Sequence, residues 1–343
     1  MSVRSRQILF ALPVLVLITG LLANSHIARS AGETPFNVLK ATPAARIVSA
    51  PIGEMSGIVK SPRRENTYWV HNDSGDTARI FAITAEGKSI LPTYSKFTNY
   101  GDEEEDGKQQ WQGFEVLQGK NVDWEDIAID ANYLYLADTG NNGNARRDLG
   151  IYLISEIDPT ASTRSAVIQH LPLVYPEQKE FPPEQKHFDS ESLFDVDGVL
   201  YLITKHRAPG ILGSFEPGAN LYRLDTRYTD KPNVLTKVDA NFYIFAATGA
   251  DLSPDGQTLA VTSMSGLWLF PRPATGDQWL SGAGRYYEFD RDAFKQLEAV
   301  TWIDDSTLLL GNEQRDLFHI PLATLPEAVE QQPAPPKAAV PPP

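Results

Sequence analysis

The sequence predicts an all-β fold, a β-propeller, on three observations. Between about Pro35 and Leu322, short runs rich in Tyr, Val, Ile and Leu alternate with turns built from Gly, Asp, Asn and Pro. Long helical periodicity is nearly absent from that span. The same local order also recurs five times, at a spacing of roughly 50 to 70 residues. Each copy has an acidic or small pair, an apolar strand start, a turn, a strongly β-prone strand and a third strand. Propeller blades carry such a unit repeat, whereas the strands of a sandwich do not.

The copies begin at Glu54-Met-Ser-Gly-Ile58, Asp123-Trp-Glu-Asp-Ile127, Asp189-Ser-Glu-Ser-Leu193, Gly249-Ala-Asp-Leu252 and Gln296-Leu-Glu-Ala-Val300. Second strands are expected at Tyr68 to His71, Leu134 to Asp138, Val199 to Lys205, Thr258 to Ser263 and Thr307 to Asn312. Third strands follow at Arg79 to Ile83, Gly150 to Ile154, Leu221 to Leu224, Leu267 to Phe270 and Leu317 to Ile320. In the fourth copy, Asp251-Leu-Ser-Pro-Asp-Gly256 reads as a strand entering a tight Pro-Asp-Gly turn. The last copy stops after its third strand, and the β-prone segment Phe36 to Val48 precedes the first, so an N-terminal strand is expected to close the final blade. Five blades are visible, and the segments Leu91 to Lys120 and Pro273 to Asp290 leave room for a sixth.

The two ends differ from this body. Arg4 and Arg6, the apolar run Ile8 to Leu22 and small residues near Ala23 and Ala31 have the pattern of a secretory signal peptide over residues 1–31. The run is interrupted by Pro13 and Gly20 and is shorter than the ~20 residues of a spanning helix, so no stable membrane insertion is expected after its removal. A single propeller domain over 32–322 is followed by a Pro-rich tail at 323–343 that favours an extended conformation. The expected location is periplasmic or secreted, as a monomer.

Apolar residues make up 42% and charged residues 22%, enough for a sizeable core. There is no cysteine, which excludes disulfides, thiolate metal sites and a cysteine nucleophile. Net charge is −14, and loss of three arginines and no acid with residues 1–31 leaves −17. A field of that sign repels nucleic acid and attracts cations, or serves solubility alone.

In a propeller the first strand of each blade lines the channel, so one position recurring in every copy forms a ring. Glu125, Glu191 and Glu298 hold that position, with Ser56 and Ala250 in the other copies and Asp126 and Asp251 one residue later. Carboxylates crowded in a channel need a cation, a proton or backbone donors, so Glu125, Asp126, Glu191 and Glu298 are the metal candidates. The second strands end in polar residues expected on one rim, which nominates Asn72, Asp73, Asp76, Asp138, Asn141, Lys205, Asn312 and Glu313 for ligand binding. Asn72 and Asp73 also suit an Asx-type turn that bonds only its own backbone.

Several apparent motifs fail. Gly87-Lys88-Ser89 has Ala82 where a phosphate loop needs glycine, and reads as a hairpin turn. The acidic stretch at 102–107 lacks the terminal glutamate of a calcium loop. No G-x-S-x-G or H-E-x-x-H is present. For a catalytic role the candidates are His71, Glu191 and His206, the two histidines being the ones at rim positions.

Taken in order, His71-Asn-Asp-Ser-Gly-Asp76, Asp123-Trp-Glu-Asp-Ile-Ala128, Ala137-Asp-Thr-Gly-Asn141, Asp189-Ser-Glu-Ser-Leu193 and Ala250-Asp-Leu-Ser-Pro-Asp-Gly256 resemble a group of bacterial exported propellers. That group is similar to phytase-like and SdiA-regulated propellers. The resemblance spans roughly Glu54 to Ile320 and implies a propeller with calcium on its acidic face. It carries no reaction across, because propellers host many chemistries. A phytase-like enzyme wants several basic residues beside its calcium, and here only Lys205, His206, Arg207, Arg146 and Arg147 offer themselves. Three functions follow as expectations. The first is an exported propeller binding calcium and a small polar ligand or envelope protein at the acidic channel face. The others are a calcium-dependent hydrolase of phosphoesters or lactones, and a structural scaffold in the cell envelope.

Overall fold

A computed structural model describes residues 38–330 except 95, 100–107, 211 and 212. The expected signal peptide, the acidic stretch at 102–107 and most of the Pro-rich tail lie outside the described residues. Within them the chain is an all-β propeller. The first sheet runs from inside to outside as Met55–Lys60, Tyr68–Asn72, Arg79–Ile83 and Phe114–Leu117. The second is Trp124–Ile129, Tyr133–Asp138, Gly150–Ser155 and Arg164–Val174, whose residues Arg164 to Ala166 pair parallel with Glu115 to Leu117 and join it to the first at the outer edge, and the third Lys186–Val196, Val199–Arg207, Phe215–Arg223 and Thr236–Phe245. The fourth is Ala247–Leu252, Thr258–Ser263, Gly266–Pro271 and Arg285–Glu288, and the fifth Leu297–Asp304, Thr307–Asn312 and Asp316–Pro321. The N-terminal strand Ala45–Arg46 pairs antiparallel with Asp316 and Leu317 and completes the fifth sheet, as expected.

The innermost strands neighbour one another in a closed circuit, from Met55–Lys60 through the other four and back. Apolar clusters fill the spaces between consecutive sheets. Trp69, Phe114, Trp124 and Leu136 pack between the first and second, Tyr135, Leu171, Leu193 and Tyr222 between the second and third, and Phe194, Leu221, Val261 and Trp268 between the third and fourth. Leu269, Val300, Trp302 and Leu308 continue the series, and Ile58, Tyr68, Leu309 and Leu317 close it. A middle strand is therefore covered on both faces, which is why Leu308, Leu309 and Leu310 are all apolar and buried. Each such side chain contributes about 1.5–3 kcal/mol by leaving water, and in a chain without cysteine this burial holds the ring together.

Two features add to the sequence expectation. The segments that left room for a sixth blade supply outermost strands, Phe114–Leu117 and Arg285–Glu288. The folded body also runs past Leu322: Val329 and Glu330 pair with Tyr286 and Arg285, and Leu325 and Ala328 pack on the cluster between the fourth and fifth sheets. Apolar residues persist to Val329, and the dense proline run begins only afterwards. The turn at Gly87 is the expected hairpin, with Gly87 at φ 74°, where a side chain would strike the backbone of Arg46.

Candidate functional site

All five inner strands start at the same end of the channel, and each carries a β-bulge there. The pairing register slips between Met55 and Gly57, Trp124 and Asp126, Ser190 and Ser192, Ala247 and Gly249, and Leu297 and Ala299. The bulged residues are thus Ser56, Glu125, Glu191, Thr248 and Glu298. A bulge leaves one residue unpaired and re-aims it, so the ring position is set by the backbone in every sheet. The three glutamates hold the expected positions. The fourth member is Thr248, not Ala250, which instead pairs regularly with Val261.

The hydroxyl members stitch the ring. Ser56 donates to the Glu125 carbonyl at 2.8 Å, and Thr248 to the Leu297 carbonyl at 2.8 Å. Asp126, expected in the metal set, does a different job. Its carboxylate accepts from the backbone N–H groups of Ile127 at 2.8 Å, Leu193 at 2.7 Å and Ala250 at 3.4 Å, tying three inner strands together. Asp251 likewise accepts from Thr301 Oγ1 at 2.7 Å and Trp302 N at 3.2 Å. Burial pushes both carboxyls up, Asp251 to about 7.

The remaining acids assemble through a second regularity. Asp123 and Asp189 each stand two residues before a ring glutamate, and in both D-x-E pairs the carboxylate oxygens lie within 4.8 Å of one another. Carboxylate oxygens of Asp73, Asp123 and Glu125 lie within 4.8 Å of one another, as do those of Glu125, Asp189 and Glu191. Asn121 sets the junction: its amide donates to the Asp73 carbonyl at 2.9 Å and its oxygen accepts from Trp124 N at 3.0 Å. Gly140 lies against the same cluster, since a Cβ there would collide with the carboxylates of Glu125 and Asp123.

The two acid groups are electrically different. Lys205 is ion-paired with Glu191, and Arg207 Nε meets Asp189 at 2.6 Å, so the Glu125–Asp189–Glu191 group has counter-charge built in. Among the described residues no lysine or arginine makes a salt bridge with Asp73, Asp123 or Glu125. Burial, then Asp73 and Asp189, push the Asp123 carboxyl up to about 6. Burial and Asp73 hold Glu125 well above the ordinary range, and burial raises Asp73 as well. Glu298 is pushed up to about 8 by burial and Glu313, and Glu313 to about 7 by burial, Glu54 and Asp73. Calcium takes oxygen ligands at about 2.3–2.6 Å, so oxygens sharing one ion lie at most about 5 Å apart. The Asp73–Asp123–Glu125 group fits that limit and has no salt-bridged cation among the described residues, Lys205 and Arg146 acting on it only from a distance, whereas Lys205 and Arg207 are paired directly with the acids of the other.

The other nominated residues build the loops that present the acids. Asn72 donates to the Pro51 carbonyl at 2.7 Å and to Asp76 at 2.6 Å, and Asp76 is bridged to Arg79 at 2.8 Å. Asp138 accepts from Asp123 N at 3.1 Å and pairs with Arg146 at 2.9 Å. Asn141 donates its N–H to Asp189 at 2.6 Å and its amide to the Phe188 carbonyl at 2.9 Å. Asn312 is fully buried between the Phe294 carbonyl and the Asp316 backbone. His71 is fully buried beside Trp124, donates from Nδ1 to the Asn72 carbonyl at 3.0 Å and is lowered to about 4 by burial. His206 stacks on His187, away from the carboxylate groups. Sequence reasoning did not nominate Asp123, Asp189 or Gly140, although the repeated D-x-E spacing was there to find the first two.

No protein-family model matches the sequence, and no curated protein matches it. Among solved structures the chain is similar to a luciferin-regenerating enzyme, at 12% identity and TM-score 0.46 over 84% of this chain and 80% of that one. It is similar to the PQQ-bound aldose sugar dehydrogenase of Streptomyces coelicolor, at 10% identity and TM-score 0.42 over 83% and 97%. It is also similar to the WD40 domain of Neurospora crassa Pan2, at 9% identity and TM-score 0.35 over 77% and 62%. At these identities the chemistry of the site rests on its own residues.

Proposed function

We propose that this protein is an exported binding propeller that holds a divalent cation, calcium by its donor chemistry, at Asp73, Asp123 and Glu125. A small polar ligand or an envelope protein binds beside the ion. One observation carries this reading: three carboxylates from two sheets converge within 4.8 Å and have no salt-bridged lysine or arginine among the described residues. Hard cations take such all-oxygen sets. The resemblance to calcium-bearing propellers and the signal-like residues 1–31 support the same assignment.

A hydrolase reading needs a proton-transfer group beside the ion: of the catalytic candidates, His71 and His206 lie outside both carboxylate groups, and Glu191, which lies in one, is ion-paired with Lys205. A phosphoester would also need free cations. Arg146 is held by Asp138 and Asp148, Arg147 lies over the Phe181 ring at 4.0 Å, and Lys205 and Arg207 are paired with Glu191 and Asp189.

The test is elemental analysis of purified protein with melting curves in calcium and in chelator. Calcium is expected to raise the midpoint, by the equivalent of about 2.7 kcal/mol at a hundredfold excess over Kd. Asp123→Asn is expected to abolish most of that shift. Protein without calcium and with superimposable curves in the two media overturns the proposal.

A further inference from the structure

A second cluster of ligating side chains lies on the third sheet, apart from the acidic groups. Strand alternation separates them: Lys205 and Arg207 both reach Asp189, so His206 between them points to the other face. There it stands opposite Glu216 in register, and His187 comes from the adjoining inner strand. The two imidazoles stack with centroids 3.6 Å apart and planes 6° apart, and His187 Nε2 meets a Glu216 carboxylate oxygen at 2.5 Å. The ligating atoms of all three residues lie within 4.8 Å of one another.

His206 supplies the observation that asks for a ligand. It is only 6% exposed, and its Nε2 has no hydrogen-bond partner. Leaving a buried ring nitrogen unsatisfied costs about 1–3 kcal/mol. Gly218, at φ 140°, lies where a side chain would strike this ring, so the glycine lets the imidazole sit flat against the sheet.

We propose that His187, His206 and Glu216 form a site for a divalent transition ion of the zinc class. Two imidazoles and one carboxylate match the donor preference of that class, which binds nitrogen at about 2.0–2.1 Å and carboxylate oxygen at about 2.0–2.2 Å. His187 and Glu216 are partly exposed, and binding would turn the His187 ring out of its stack with His206 so that both ring nitrogens face one ion, its fourth position open to water. This differs from the acidic end, whose donors are all oxygen, and the two sites stand or fall separately.

The experiment uses the full chain without a polyhistidine tag, stripped with chelator and held in excess calcium to saturate the acidic end. Zinc affinity is measured by competition with a chromogenic chelator, and cobalt is added separately for its visible spectrum. The expected result is one equivalent of zinc, with a cobalt absorption typical of a low-coordinate nitrogen and oxygen site. His187→Gln and Glu216→Gln, both at partly exposed positions, are expected to weaken zinc by more than the roughly 10–100-fold that losing even a ligand's supporting partner costs. Asp123→Asn is expected to leave zinc affinity unchanged. Stoichiometric zinc that survives the His187→Gln, Glu216→Gln double variant overturns the assignment, as does a wild-type chain that takes up none.

Discussion

The Lys205 ammonium is ion-paired with the Glu191 carboxylate, and it is the cation toward which the acidic end of the channel converges. It lies 4.0 Å from Asp189, and its charge also acts on Asp73, Glu125, Glu298 and Glu313. Both members of the pair are buried, so removing Lys205 leaves Glu191 with only the longer Arg207 contact at 3.8 Å, and the loss is expected to stay below about 3–5 kcal/mol, the cost of a fully uncompensated buried charge. Lys205→Met is expected to lower the melting midpoint in chelator and to enlarge the rise on adding calcium, since the ion then supplies charge that Lys205 provided. Parallel shifts in both media would show that Lys205 and the cation are unrelated.

Stability of the metal-free protein depends on pH with two opposing signs. Glu298, Glu313 and Asp123 have folded values of about 8, 7 and 6, above their unfolded ones, so the fold binds their protons more tightly. Their contribution is present at low pH and lost as pH rises through those values. His71, lowered to about 4, works the other way: its contribution is present above its unfolded value and lost as pH falls toward 4. Melting in chelator is therefore expected to improve from pH 8.5 to about 5, because three carboxyls that take up protons outweigh one imidazole that resists one, and to level off below, where the unfolded carboxyls take up protons too. Calcium should flatten the upper limb, because it replaces the protons. A curve rising steadily toward pH 8.5 in chelator contradicts this.

Gly140 tests the carboxylate group without removing a charge. Its φ is unremarkable, so alanine fits the backbone, but the added methyl collides with the ends of the Glu125 and Asp123 side chains. Gly140→Ala is expected to weaken calcium at least about tenfold while the midpoint in chelator moves little. Isothermal titration with matched melting curves separates the two effects.

Asp126 and Asp123 lie three residues apart and should behave oppositely. Asp126→Ala orphans backbone donors of Ile127, Leu193 and Ala250, at about 1–3 kcal/mol for each one left buried. The variant is expected to melt markedly lower yet, below its midpoint, to bind calcium as wild type does. If calcium affinity falls and stability holds, Asp126 belongs in the metal set after all.

Much of the architecture was legible in the chain. Leu308 to Leu310 and Leu134 to Ala137 mark middle strands because both faces of such a strand are covered, and the N-terminal strand was readable because the last copy lacked an outer one. Glu125, Glu191 and Glu298 were readable as a ring because repetition places equivalent residues around one axis. Asn72, Asp138, Asn141 and Asn312 misled for a local reason: loop amides and carboxylates that hold a turn have the same composition as those that hold a ligand.

Periodicity and charge along the chain specify the all-β repeat, the order of its strands and the acidity of one channel end. Which side chains meet depends on how the strands pair in three dimensions. Strand period is two, so a single bulged residue exchanges the faces: it put Thr248 rather than Ala250 in the ring and turned Asp126 away from Glu125 onto the backbone of neighbouring sheets. The same long-range pairing set Lys205 on Glu191 and brought His187, His206 and Glu216 together from three strands. Contacts between strands depend on register across the sheet, which no local pattern of residues specifies.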